Sequence, residues 1–242
     1  GHKKARKLVK GQSCALAELE QWVSTLNGCG VLWVHAASVG EFEQARPIIE
    51  RMQSELPFRK ILLTFFSPSG YELRKHYAMV DKVVYLPFAT RRNAKRMVGM
   101  LPLEAAVMVK YEFWPAYLNA LKAKQVPTYL VSAIFRPKQL FFRPWGRGYR
   151  QLLHAFDCIF VQDAASAELL RKYAVDRVEV AGDTRFDRVI EVRNQAKELS
   201  VVEQFLGDAA RVIVAGSTWP EDEKHLARYL RERDDVKLIL VP

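Results

Sequence analysis

The chain has 242 residues, half of them hydrophobic and 26% charged, which excludes a disordered chain and allows one large domain or two modest ones. Lys and Arg number 37 against 27 Asp and Glu, and the net charge of +10 calls for an anionic partner: nucleic acid, anionic lipid or a phosphorylated small molecule. No apolar run approaches the ~18 residues of a membrane-spanning helix, and Cys14, Cys29 and Cys158 lack metal-binding spacing and fit a reducing compartment.

Residues 1–30 read as a basic N-terminal segment; Lys3 to Lys10 carry no acid, and no apolar core follows them as in a signal peptide. From residue 31 short apolar runs alternate with helical periodicity. Strands are predicted at 31–35, 60–66, 82–86, 105–109, 128–132, 158–161 and 178–181, with helices between them, including 42–56 and 68–77. This alternation predicts an α/β fold: an open, mostly parallel sheet covered by helices on both faces, a Rossmann-like domain over 31–187. Residues 188–207 read as one long charged helix, followed by strands at 212–215 and 237–241. Two strands and a helix do not close a sheet of their own, so 188–242 either extends the first sheet or, as the stop immediately after a strand favours, is the start of a second, truncated domain.

Ligands of such folds bind beyond the carboxyl ends of the strands, which directs attention to the strand-to-helix loops. The first is His35-Ala36-Ala37-Ser38-Val39-Gly40-Glu41. Its small residues allow close approach of a ligand, and Glu41 in the first helical turn has a carboxylate able to accept a hydroxyl proton. Ser38 and Glu41 also have capping-box spacing, in which the Glu merely bonds the N-cap amide and the helix terminus lowers its pKa. Ser67-Pro68-Ser69-Gly70 combines an N-cap, a Pro at the first helical position and free amides, an anion site or an ordinary cap. Glu112, in Lys110-Tyr111-Glu112-Phe113-Trp114-Pro115, sits among aromatics that line a sugar pocket or belong to the core. In Gly182-Asp183-Thr184-Arg185-Phe186-Asp187 the Arg185 fork suits a phosphate or carboxylate. Gly216-Ser217-Thr218-Trp219-Pro220-Glu221 places small residues after a strand, with Thr218 and Glu221 at capping-box spacing; it lacks the Lys of a P-loop. The five His are dispersed, and no metal site is predicted.

Two basic tracts stand out. Arg91, Arg92, Lys95 and Arg96 share a predicted helix with no acid nearby. Arg136, Lys138, Arg143, Arg147 and Arg150 interleave with Phe135, Phe141, Phe142, Trp145 and Tyr149, a mixture that suits a membrane interface or single-stranded nucleic acid, or a solvated face over core aromatics.

Taken in order, these loops resemble the 3-deoxy-D-manno-octulosonic acid (Kdo) transferases of lipopolysaccharide assembly, over nearly the whole chain. His35 to Glu41 resembles the family's N-terminal hallmark, and Lys4-Ala5-Arg6-Lys7-Leu8 resembles the basic stretch after its membrane anchor. The wording of Lys110-Tyr111-Glu112 and Ser132-Ala133-Ile134-Phe135-Arg136 is similar to a Bacteroidetes-type branch. The resemblance implies a GT-B glycosyltransferase of two Rossmann-like domains with the site between them, and a chain that stops before most of its second domain and is inactive alone. It implies CMP-Kdo as donor and a lipid A precursor as acceptor, at the cytoplasmic face of the bacterial inner membrane, with no metal and no nucleic acid. Glu41 is then the general base. Ser38, Gly40, Ser67, Ser69, Gly70 and Glu112 are acceptor-side candidates, and Gly216, Ser217, Thr218 and Arg185 nucleotide-side candidates. The basic-aromatic tracts would face an anionic membrane surface. The rival classes are another GT-B sugar-nucleotide enzyme and a non-enzymatic nucleic-acid binder.

Overall fold

The structure, a computed structural model, describes residues 2–196, 198–209, 211–231 and 233–241. The chain divides after Glu191 into two units. The first begins with α1 (His2–Val23), β1 (Val31–Ala36), α2 (Val39–Glu55), β2 (Lys60–Phe65), α3 (Pro68–Arg74), β3 (Lys82–Tyr85), α4 (Arg91–Met100) and β4 (Leu103–Val109). It continues with α5 (Pro115–Ala123), β5 (Thr128–Ala133), α6 (Arg147–Leu153), β6 (Cys158–Val161), α7 (Ala164–Lys172) and β7 (Val178–Val180). α8 (Arg185–Asn194) runs across the division, and the second unit holds α9 (Ser200–Leu206), β8 (Arg211–Gly216), α10 (Pro220–Leu230) and β9 (Val236–Val241).

β1 to β7 form one sheet in the order β3-β2-β1-β4-β5-β6-β7, every pair parallel. Helical crossovers give this arrangement, since parallel neighbours need a connection long enough to return to the same end of the sheet. The order reverses between β1 and β4, so their carboxyl ends diverge and open the crevice in which such folds hold ligands.

Side chains alternate across the sheet with period two. Ile61, Leu63 and Phe65 join Phe42, Ala45 and Ile49 of α2 on one face. Leu62 and Trp33 join Met97 of α4 and Tyr117, Leu118 and Leu121 of α5 on the other. β1 is buried along its whole length, as its continuous apolar run predicts.

Residues 1–30 are not a separate basic segment. α1 belongs to the first unit: Leu16, Leu19 and Leu26 enter the core beside Trp33 and Leu86, and the Gln12 amide donates to the Leu86 carbonyl at 2.9 Å. Only Gly fits at position 11, where an added Cβ would fall 2.2 Å from the Tyr85 ring. The basic face of α1 hid an apolar one spaced at three and four residues.

The predicted helix over 188–207 is two helices, α8 and α9; Lys197, inside it, lies outside the described residues. Neither helix has a buried residue, so no packed face holds the segment to one axis. In the second unit β8 and β9 pair in parallel through α10.

The docking of α1 has a direct consequence. Leu19 is fully buried, so Leu19→Ala is expected to cost about 2–5 kcal/mol in unfolding free energy by denaturant titration. A variant as stable as the parent would show that α1 is not packed on the sheet.

Candidate functional site

The site begins with the β1–β2 register, which sets His35 opposite Thr64. Trp33 and His35 are two residues apart on one face of β1, and the fully buried Thr64 meets them from β2. The Trp33 indole donates to Thr64 Oγ1 at 2.8 Å, and His35 Nδ1 lies 2.8 Å from the same oxygen and 3.1 Å from the Thr64 carbonyl. At the far side of the ring, His35 Nε2 is 3.0 Å from Glu112 Oε2. The Trp114 indole donates to that same carboxylate oxygen. Glu112 reaches this position through a tight turn after β4, in which Lys110 takes φ +65°, a conformation costly for a residue with a Cβ.

Glu112 is buried, and a buried carboxylate needs such donors to offset lost hydration. It was expected as an acceptor-side group; one of its oxygens is committed to His35 and Trp114 within the protein. His35 is fully buried, and the scatter of His residues along the sequence gave no sign of its partners. The available signal was its place in Val31-Leu32-Trp33-Val34-His35-Ala36, a polar residue inside an otherwise apolar strand.

Glu41 stands at the first turn of α2, directly beyond β1. Ser38 caps the helix by accepting the Glu41 amide at 3.4 Å, and the Glu41 carboxylate accepts chiefly the Ala37 amide, with the expected Ser38 amide contributing less. The two bonds resemble a capping box set back by one residue. The expected lowering of its pKa does not occur. Partial burial and then the charge of Glu112 raise Glu41 above its ordinary 4.5, outweighing the opposing pull of the Ala37 amide, of His35 when its ring is charged, and of the Ser38 amide. Gly40 is exposed, and an added Cβ there would meet nothing within 4 Å. The helix start beside Glu41 is therefore open.

The Ser67 loop adjoins the first loop through a hydrogen bond from the Ser67 amide to the Ala37 carbonyl at 2.7 Å. Ser67 Oγ accepts the Gly70 amide at 3.1 Å and lies 3.3 Å from Ser69 Oγ. Gly70 is buried against Phe65, where a Cβ would come within 2.5 Å of the ring. It serves packing, while the two serine hydroxyls remain partly exposed or exposed.

Arg185 turns back onto Asp183, its guanidinium bonding both carboxylate oxygens. Gln44 donates to Asp183 at 3.2 Å, and Thr184 bridges the Gln44 carbonyl at 2.7 Å and Ser132 Oγ at 3.0 Å. Burial alone would raise Asp183, but the bonds from Arg185 and Gln44 prevail and hold it at about 2. These contacts fasten the 182–185 loop to α2 and to the bulged end of β5, where Ser132 has φ +54°. Gln44 and Thr184 had no motif to announce them. Arg185, expected on the nucleotide side, has Asp183 as its partner within the first unit.

Gly216, Ser217 and Thr218 follow β8 in the second unit, with Ser217 at φ +55°. The predicted box of Thr218 with Glu221 is absent. Thr218 donates to Glu223 at 3.0 Å, and Asp222 accepts the Trp219 amide at 2.9 Å. The Pro220 ring occupies the first helical position and shifts the cap to Trp219. Among the described residues no three His, Cys, Asp or Glu side chains gather to hold a metal, and no helix is long and apolar enough to cross a membrane.

The aromatic tract divides. Phe135 and Phe142 are core residues, with Phe141 packed against them, whereas Trp145 and Tyr149 are exposed. Arg150 lies over the Tyr173 ring and donates to the Phe141 carbonyl at 2.9 Å, so it belongs to the fold. On α4, Arg96 finds an acid after all, pairing with Glu20 of α1.

Comparison with known proteins bears on the family and the fold. Residues 4–188 match the family described as 3-deoxy-D-manno-octulosonic-acid transferase (kdotransferase). The Kdo transferase of Aquifex aeolicus is 29% identical over 224 residues, covering 90% of this chain and 56% of that protein. The Kdo transferase of Bordetella pertussis is 26% identical over 200 residues, covering 79% and 45% respectively. The chain thus spans about half the length of these curated relatives. Among solved structures, the UDP-GlcNAc 2-epimerase of Neisseria meningitidis superposes with a TM-score of 0.60 at 14% identity, covering 88% of this chain and 72% of that one. The likeness shows the fold, an α/β architecture of GT-B type. A family match across more than half of the sequence, on a sheet whose switch point carries Glu41, gives the identity at family level: the chain belongs to the 3-deoxy-D-manno-octulosonic-acid transferase family.

Proposed function

We propose that the protein is an inverting glycosyltransferase that moves Kdo from CMP-Kdo to a lipid A precursor, with Glu41 as general base. The observation that carries this reading is the state of Glu41. Its carboxylate stands beyond β1 at the switch point, beside an open helix start, with its proton affinity raised by burial and by Glu112. A base of ordinary carboxylate strength is poorly matched to a sugar hydroxyl, and raising it toward the working pH improves the match.

In the proposed step an acceptor hydroxyl oxygen attacks the anomeric carbon of Kdo while Glu41 takes the hydroxyl proton. The bond from that carbon to the CMP oxygen breaks, and CMP departs with the electron pair as a phosphate monoester. Such a leaving group needs no strong general acid. Amides and hydroxyls at helix starts suffice to stabilise the growing charge, so the reading includes no metal or other cofactor. Ser67 and Ser69, beside the Glu41 loop, suit an acceptor or donor anion; Gly216, Ser217 and Thr218 suit the nucleotide.

The membrane part of the reading rests on a smaller patch than the sequence implied. Trp145 and Tyr149 are exposed, as are Arg136, Lys138 and Arg147 of the same stretch of chain, aromatic bodies and cations of the kind that seat at anionic headgroups. In this reading the patch holds the enzyme at the cytoplasmic face of the inner membrane; the same side chains also suit single-stranded nucleic acid, and it is membership of the Kdo transferase family that favours the membrane.

Glu41→Gln in the intact enzyme is expected to lower transfer by ~10²–10⁴-fold, read as Kdo-bearing product by mass spectrometry. Near-normal product would sink the base assignment, and a product from another sugar nucleotide would sink the choice of donor. The stability of the same variant follows from linkage. The folded state holds the Glu41 proton to higher pH than the unfolded chain, so the contribution of Glu41 is fully present below 4.5 and is lost as pH rises through the raised folded value. Glu41→Gln removes that loss. Its melting temperature should match or exceed the parent's at neutral pH and lose this advantage in acid; the reverse trend would contradict the shift. Trp145→Ala with Tyr149→Ala should weaken sedimentation with phosphatidylglycerol vesicles several-fold while binding to neutral vesicles stays low, and unchanged sedimentation would remove the patch from the reading.

A further inference from the structure

A chain of buried polar groups leads away from Glu112, into the sheet, and the step described above makes no use of it. The donors and acceptors along it fix where the protons lie. The Trp33 indole only donates, so Thr64 Oγ1 accepts from it and keeps its own proton for another acceptor. His35 Nδ1, at 2.8 Å, is such an acceptor. Glu112 Oε2 already receives the Trp114 indole proton, so His35 Nε2 faces it as a donor. One assignment satisfies every group: Trp33 to Thr64, Thr64 to His35 Nδ1, His35 Nε2 to Glu112.

We propose that Thr64 and His35 are positioning residues for the transfer, in which the Thr64 hydroxyl holds His35 neutral with its proton on Nε2, so that the His35–Glu112 pair presents one net negative charge to Glu41. The role rests on the reading of Glu41 as base; the proton arrangement does not. The titratable groups acting on Glu41 are Glu112, from the turn after β4, and His35, from β1. Burial is the larger cause of the raised affinity, and the net charge of that pair adds to it or subtracts from it.

The alternative partner of Nδ1 makes the idea testable. The Thr64 carbonyl is 3.1 Å away and can only accept. In Thr64→Val the hydroxyl is gone, and Nδ1 is satisfied only by carrying a proton to that carbonyl. The ring then becomes an imidazolium, or it changes tautomer and Glu112 takes the proton. Either way the pair goes from one negative charge to none, and Glu41 becomes a weaker base.

The experiment has two arms on the intact enzyme. In the first, nitrogen NMR of the His35 ring, assigned by its loss in His35→Gln, is expected to show a neutral ring protonated at Nε2 and unprotonated at Nδ1 at neutral pH. A doubly protonated ring, or a proton on Nδ1, overturns the proposal without any activity measurement. In the second, Thr64→Val should move the acid limb of the kcat profile down by about one pH unit. It should lower kcat a few-fold with KM little changed, and Thr64→Ser should restore the parent profile. A merely structural role would lower activity without moving the limb; an unmoved limb beside an inactive Glu41→Gln overturns the positioning role and leaves the base reading standing. Activity in Glu41→Gln overturns the base reading and with it the role of the pair, while the NMR result still reports the proton arrangement.

Discussion

The carboxyl end of the sheet is organised around one constraint: a carboxylate, Glu112, taken out of water must find its hydrogen bonds inside the protein. It finds them in His35 and Trp114. Each of those demands something further. His35 needs a partner for its second nitrogen, which the β1–β2 register supplies in Thr64. Thr64 is completed by Trp33. The turn that brings Glu112 inward needs Lys110 in a left-handed conformation. A surface carboxylate would impose none of these requirements.

The second carboxylate, Glu41, is defined by the first. Alone at a helix start it would be a cap, favoured as an anion by the helix terminus. Partial burial and the nearby charge of Glu112 reverse that tendency. Two acids of different surroundings on either side of a switch point is a familiar way to divide roles between chemically identical groups. One is buried and bonded within the fold. The other keeps its proton affinity and an open approach past Gly40.

The remaining loops hold this pair in place. The Ser67 amide ties the second strand-to-helix loop to the first at Ala37. Asp183 and Thr184 fasten the last loop of the unit to Gln44 on the helix that carries Glu41, and Arg185 completes that clamp. Polar residues that read as ligand-binding groups in isolation thus divide into those spent on bracing the site and those left facing outward, notably the Ser67 and Ser69 hydroxyls.

The sequence alone determined the strands, the helices that follow them and the α/β class, because apolar runs and helical periodicity are local properties that burial on both faces of a parallel sheet imposes. It also placed Glu41 in the first turn of α2 and the caps at Ser38 and Ser67, whose spacing is local as well. Tertiary structure decided what depends on distant partners. His35, Thr64 and Glu112 are far apart in the chain and meet only through strand register. Arg96 met its acid on α1, and Phe135, Phe141 and Phe142 of the aromatic tract went into or against the core. The basic stretch of α1 proved to be one face of a helix whose other face packs on the sheet. The direction of the Glu41 shift belongs with these, because a pKa is set by burial and by neighbouring charges, and neither is written at the residue itself.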